Sequence, residues 1–130
     1  MKMTLMLRTE SPVNSRQFYE IELGMFKLQG EMWDWAFSMS AIDNEAFSLE
    51  FTTYHRATSE VPIFRLTVKN CDREFARLRA TTFTSGGRIV PNKRGVLEVF
   101  EYPAGKNFQM EDPAGNRFII HEDYTVEENI

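Results

Sequence analysis

The chain has 130 residues, 42% hydrophobic and 13% aromatic, with a formal net charge of −4, enough for one sizeable core and close to the commonest domain size. Its lysines and arginines are scattered among acidic neighbours, which excludes a phosphate backbone as partner, and no apolar run approaches the roughly 20 residues of a membrane span. The start, Met1 to Arg8, is charged too early for a signal peptide, and the single cysteine, Cys71, rules out an internal disulfide or a Cys-based zinc cluster, so the expectation is a cytoplasmic protein with an unreactive thiol.

Leu5 and Leu7 alternate with Thr4, Met6 and Arg8, the period of a half-buried strand that stops at Thr9-Glu10-Ser11-Pro12. Asn14 then stands as an N-cap with Gln17 three residues on, Phe18, Ile21 and Met25 follow at helical spacing, and Gly24 supplies the stop. A short strand is expected around Phe26 and Leu28. Trp33, Trp35, Phe37 and Met39 alternate with Asp34, Ala36 and Ser38 as a longer one. After the turn residues Asp43-Asn44-Glu45, Phe47, Leu49 and Phe51 form its antiparallel partner.

The order then repeats. Phe64, Leu66 and Val68 mark a strand, Asn70 or Asp72 caps a helix carrying Phe75 and Leu78, and Gly86-Gly87 breaks the chain. Ile89-Val90, Leu97 to Tyr102, Asn107 to Glu111 and Arg117 to Glu122 read as strands. The expectation is one α+β domain over 1–130 made of two βαβββ halves, about 1–60 and 61–124, joined at Val61-Pro62, with a frayed acidic tail at 125–130.

The turn Asp112-Pro113-Ala114-Gly115-Asn116 before Phe118-Ile119-Ile120 resembles the Asp-Pro-x-Gly-Asn turn that precedes the final strand in the vicinal-oxygen-chelate superfamily of glyoxalases, bleomycin-resistance proteins and dioxygenases. Phe18-Tyr19 ahead of Leu23-Gly24 matches that superfamily's first-helix pattern, and Phe75-Ala76-Arg77-Leu78 resembles its second. The resemblance covers nearly the whole chain and implies two curved sheets forming a cup-shaped mixed barrel. It also implies homodimerisation. Metal-using members place one ligand on the first strand and one on the last strand of each half. Carried over, those positions fall on Thr4, near Glu50, on Ile63 and on Ile119, of which only Glu50 can ligate, so no metal or other cofactor is expected. Arg65, two residues along the same facing, would repel a cation.

Alternation assigns Leu5, Leu7, Phe64, Leu66, Phe118 and Ile120 to the helix side and Thr4, Met6, Arg8, Ser48, Glu50, Ile63, Arg65, Thr67, Arg117, Ile119 and His121 to the cup. Trp33 and Trp35 either form core beneath the helix or line the cup and stack a flat ligand. The ligand-binding candidates are therefore Thr4, Met6, Arg8, Trp33, Trp35, Glu50, Arg65, Thr67, Arg117, Ile119 and His121, mixing apolar walls with a few charges as a small-molecule site does. Glu50 is expected to pair with Arg65 or Arg8, and His55 to lie in a loop. The first reading is a metal-independent binding protein that takes an amphipathic or aromatic small molecule. The alternative is an enzyme, a lyase, isomerase or dioxygenase relative, using Glu50 and His121 as acid and base or as an unusual metal site. A third is a dimerisation module whose own side chains fill its cup. Phosphate-loop and serine-nucleophile motifs are absent.

Overall fold

A computed structural model describes residues 1–55 and 60–125, so all but Thr125 of the tail expected at 125–130 lies outside the described residues. The fold is α+β. Strand β1 (Met3–Arg8) leads through helix α1 (Pro12–Arg16) and a π-helical segment (Gln17–Glu22) to β2 (Phe26–Gln29), β3 (Ala36–Ala41) and β4 (Asn44–Thr52). The second half runs β5 (Phe64–Thr67), helix α2 (Cys71–Arg79), β6 (Arg88–Val90), β7 (Phe100–Tyr102), β8 (Gly105–Glu111) and β9 (Arg117–Asp123). Two sheets result, ordered β1-β4-β3-β2 and β5-β9-β8-β6, with β7 continuing along the same edge of β8; they do not join into a closed barrel. In each sheet the first strand of its half pairs parallel with the last, and the other pairings are antiparallel.

The first helix departs from the sequence expectation at both ends. Its N-cap is Ser11, not Asn14: the Ser11 side chain accepts the Asn14 backbone N–H at 3.3 Å, and Pro12 takes the first helical turn, where its missing N–H costs nothing. The chain then widens into the π-helical segment, closed by Leu23 N–H donating to the Phe18 carbonyl at 2.7 Å. The extra residue in that turn rotates the register, so Phe18, Tyr19, Glu22 and Leu23 point inward and Ile21, expected inward, is 62% exposed. Gly24 ends the segment at φ +72°, where a side chain would be strained. Of the two candidate caps for α2, Asn70 serves, accepting the Arg73 N–H at 2.9 Å; acidic residues fill that helix's first turn and arginines its last, as the helix dipole favours.

The core lies between the helices and one face of each sheet. Tyr19 packs edge-on against Phe26 at 5.6 Å and lies parallel to Phe118 at 5.9 Å, so one ring touches both halves. Phe75 of α2 meets Phe108 of β8 at 5.2 Å. Polar latches join the same parts. Arg77 of α2 donates to the carbonyls of Leu23 (2.7 Å) and Glu22 (3.3 Å), and the buried Glu22 carboxylate accepts from the backbone and hydroxyls of Thr84 and Ser85. Such satisfied buried bonds specify a single arrangement of the halves.

Cys71 opens α2 fully buried, its thiol against the Ile120 carbonyl. Burial, then the carboxylates of Asp72 and Glu122, push that thiol up to about 12. Cys71 is therefore expected to stay unmodified when native protein is treated with a disulfide reagent at pH 8 and to react stoichiometrically in denaturant; rapid native reaction would mean that the start of α2 opens readily.

Candidate functional site

Cross-strand register decides which side chains share the helix-free faces. In the first sheet Thr4, Met6 and Arg8 of β1 pair with Ser48, Glu50 and Thr52 of β4, which in turn face Ser40, Ser38 and Ala36 of β3. In the second, Arg65 and Thr67 of β5 pair with Ile119 and His121 of β9, which pair with Gln109 and Asn107 of β8. These two faces are opposite to those carrying Leu7, Phe51, Phe118 and Ile120, so they form the cup side of the fold.

On that side Thr4, Met6, Arg65 and Thr67 are exposed, Arg8, Glu50, Arg117 and Ile119 are half-buried, and His121 is buried. Arg8 donates to the His55 carbonyl at 2.9 Å and lies 3.8 Å from Glu10, not against Glu50. The expected Glu50 pairing with Arg8 or Arg65 is thus not formed: Arg8 is drawn to the end of its strand by the loop carrying His55, and Glu50 makes no ion pair among the described residues. Arg117 donates to Glu111 at 2.7 Å, and Arg88 donates to the other oxygen of the same carboxylate at 3.2 Å. Burial pushes the Glu111 carboxyl up, but the two arginines outweigh it and hold it below its ordinary range.

His121 sits between Thr67 and Asn107, 3% exposed, with Nε2 2.6 Å from the Tyr102 hydroxyl and the Tyr102 ring stacked above it at 6.2 Å. Phe100 continues the stack at 5.8 Å from Tyr102. The imidazole Nδ1 is buried with no partner among the described residues. Tyr102, Asn107 and Gln109 were not among the candidates read from sequence. The signal for the last two was available, since they alternate with Phe108 and Met110 in the strand expected from Asn107.

Trp33 and Trp35 correct the sequence expectation of a strand through Trp33, Trp35, Phe37 and Met39. The strand starts at Ala36, because Trp33 N–H turns back to donate to the Ala36 carbonyl at 2.9 Å. The two indoles stack on each other at 6.0 Å, Trp35 meets Tyr54 at 5.8 Å, and they are 53% and 48% exposed, so they are not core.

The positions implied for metal ligation hold Thr4, Glu50, Ile63 and Ile119, and among the described residues no three His, Cys, Asp or Glu side chains are placed to share an ion. Two hydrocarbons, a hydroxyl and one carboxylate do not fit a divalent metal, which needs three or four N, O or S donors converging on a point.

No family model and no curated protein sequence matches the chain. Solved structures do. UcmS2 superposes with a TM-score of 0.71 at 17% identity, over 93% of this chain and 96% of that one. TnmS3, an antibiotic binding protein from Streptomyces sp. CB03234, gives 0.70 at 16% identity over 95% of each chain. A lactoylglutathione lyase from Agrobacterium tumefaciens gives 0.68 at 13% identity over 98% of each. Solved glyoxalase/bleomycin resistance proteins share the same fold. No described helix is long and apolar enough to cross a membrane.

Proposed function

We propose that this chain is a cytoplasmic, homodimeric, metal-independent binding protein that takes an amphipathic or aromatic small molecule in its cup. The observation that carries the reading is the donor set: the four positions that would hold a metal offer one carboxylate, while the surrounding face mixes Met6, Ile63 and Ile119 with hydroxyls and charges. The likeness in fold to an antibiotic binding protein agrees with it. The lyase of the same fold keeps the enzyme alternative in view, with Glu50 on β4 and His121 on β9 in separate sheets as its acid and base.

The test combines metal content of the purified protein, thermal shift with Zn, Ni, Mn and Fe(II), and thermal shift with a panel of aromatic small molecules. Expected is no stoichiometric metal, no metal-induced stabilisation, and a rise of a few degrees with one aromatic class at saturating concentration. One equivalent of tightly held metal, with a matching rise in melting temperature, would overturn metal independence. Turnover by the protein that Glu50→Ala and His121→Ala both abolish, without loss of fold, would replace binding with catalysis.

A further inference from the structure

The helix-free face of the second sheet has an unequal charge arrangement. Its two carboxylates are engaged: Glu111 receives Arg117 and Arg88, and Asp123 Oδ1 accepts the backbone N–H and hydroxyl of Thr125 at 2.8 and 2.6 Å. Arg65 is exposed and forms no hydrogen bond or close ion pair among the described residues; its charge acts at longer range on Asp123, whose carboxyl is held below its ordinary range first by the Thr125 hydrogen bonds and, in smaller part, by His121 and Arg65. Its lateral neighbours are Ile119 and Gln109, and the next row along the strands is Thr67, His121 and Asn107. The side chains of Thr67, Asn107 and Gln109 also make no hydrogen bond among the described residues. Between them lies the buried imidazole of His121, whose Nδ1 has no hydrogen-bond partner among the described residues.

We propose that this face is an oxyanion site for the carboxylate of an aromatic acid. The proposal rests on the reading that the cup binds a small molecule, and it names the class. The Arg65 guanidinium supplies the charge and a planar fork that matches a carboxylate. Thr67, Asn107 and Gln109 supply neutral donors in the two adjoining rows, and Ile119 gives an apolar floor between Arg65 and Gln109. His121, fixed at Nε2 by Tyr102, lies in the row beside them. A guanidinium bordered by neutral donors, with the Asp123 carboxylate farther along the same face, suits a monoanion better than a phosphate dianion, which that carboxylate would repel more strongly and which would call for a second cation. The exposed edge of the Phe100–Tyr102 stack is the surface on which the ligand's ring lies.

The test is a titration of the full chain, followed by amide NMR, with benzoate, phenyl phosphate, benzamide and benzylamine, repeated on Arg65→Gln. Benzoate is expected to shift the amides of Arg65–Thr67, Asn107–Gln109 and Ile119–His121 saturably, with an affinity about tenfold or more above that of benzamide and lost to a similar degree in Arg65→Gln. Arg65→Gln should melt within a degree or two of the wild type, because the side chain is exposed and unpaired. Phenyl phosphate binding more tightly than benzoate would overturn the carboxylate assignment. Benzamide or benzylamine binding this face as well as benzoate, or benzoate binding unchanged in Arg65→Gln, would overturn the oxyanion site and leave the small-molecule reading standing. No saturable shift on either helix-free face with any of the four would overturn both.

Discussion

Gly105→Ala is expected to lower stability by about 3 kcal/mol, a drop in melting temperature of about 10 °C. Gly105 opens β8 opposite Asp123 of β9, and a Cβ there would lie 2.2 Å from the Glu122 carbonyl oxygen. That atom belongs to a paired strand and cannot rotate away, so relief requires the β8–β9 ladder to open from this end. The same methyl would stand 3.2 Å from His121 Nε2, the nitrogen that meets the Tyr102 hydroxyl. The substitution should therefore displace Tyr102 as well as destabilise the sheet. Chemical denaturation reads the first effect, and the His121 ring resonances read the second. A variant of wild-type stability with unchanged imidazole shifts would mean that the β8–β9 rung at Gly105 already opens freely. Gly87 is a second close approach, with a Cβ only 2.2 Å from the Phe18 ring, so the Gly-Gly break read from sequence is a packing requirement too.

Much of this architecture was legible because strand alternation and the duplicated element order are local signals. Leu7, Phe51, Phe118 and Ile120 fall on the helix side and Thr4, Glu50, Arg65 and His121 on the other, as period-2 reading requires. Three features were not legible, each for a physical reason. The π-helical segment differs from an α-helix only in its backbone hydrogen-bond spacing, as in Leu23 to Phe18, and the spacing Phe18, Ile21, Met25 reads equally well as an ordinary α-helix. The Trp33–Trp35 alternation imitates a strand, but Trp33 turns its N–H back to Ala36, and no residue pattern announces that reversal. Leu97 to Tyr102 reads as one strand, yet only Phe100–Tyr102 pairs, because β8 shares that edge between β6 and β7. Long-range partnership also decided the candidate site. Glu50 and its expected partners Arg8 and Arg65 are correctly faced, but Arg8 is held at the loop carrying His55, a contact across a sequence distance that periodicity cannot carry, and Arg65 lies in the other sheet.

The Asp112 turn should make stability depend on pH in the opposite sense from an ordinary ion-paired carboxylate. Burial lifts the Asp112 carboxyl from 3.8 to about 6, against the opposing pull of hydrogen bonds from Asn116, Tyr19 and Ala114. The folded state then holds a proton that the unfolded chain has released between about pH 4 and about pH 6. Stabilisation from this group is complete below pH 4 and is lost as pH rises through 6, by up to about 3 kcal/mol for a two-unit shift. Tyr19 donates to Asp112 Oδ2 at 2.8 Å and Asn116 to the same oxygen at 2.7 Å, while Asn116 also donates to the Arg8 carbonyl at 2.8 Å, so the turn ties the last strand to both the first helix and the first strand. In Asp112→Asn the side-chain oxygen can still accept from the Ala114 and Asn116 amides, and Tyr19 can reverse its hydroxyl, but the new NH2 faces the Asn116 NH2 and one bond is lost. The variant should be less stable than the wild type at pH 4 by about 1–3 kcal/mol, and the gap should narrow as pH rises to 7.5, where the wild type must bury a charge and the variant does not. Denaturant titrations of both proteins at pH 4, 5, 6 and 7.5 measure that difference and cancel the other carboxylates. A gap that widens with pH would mean that the four donors overcome burial and Asp112 is ionised throughout, which would make the turn an anion site satisfied from within the chain.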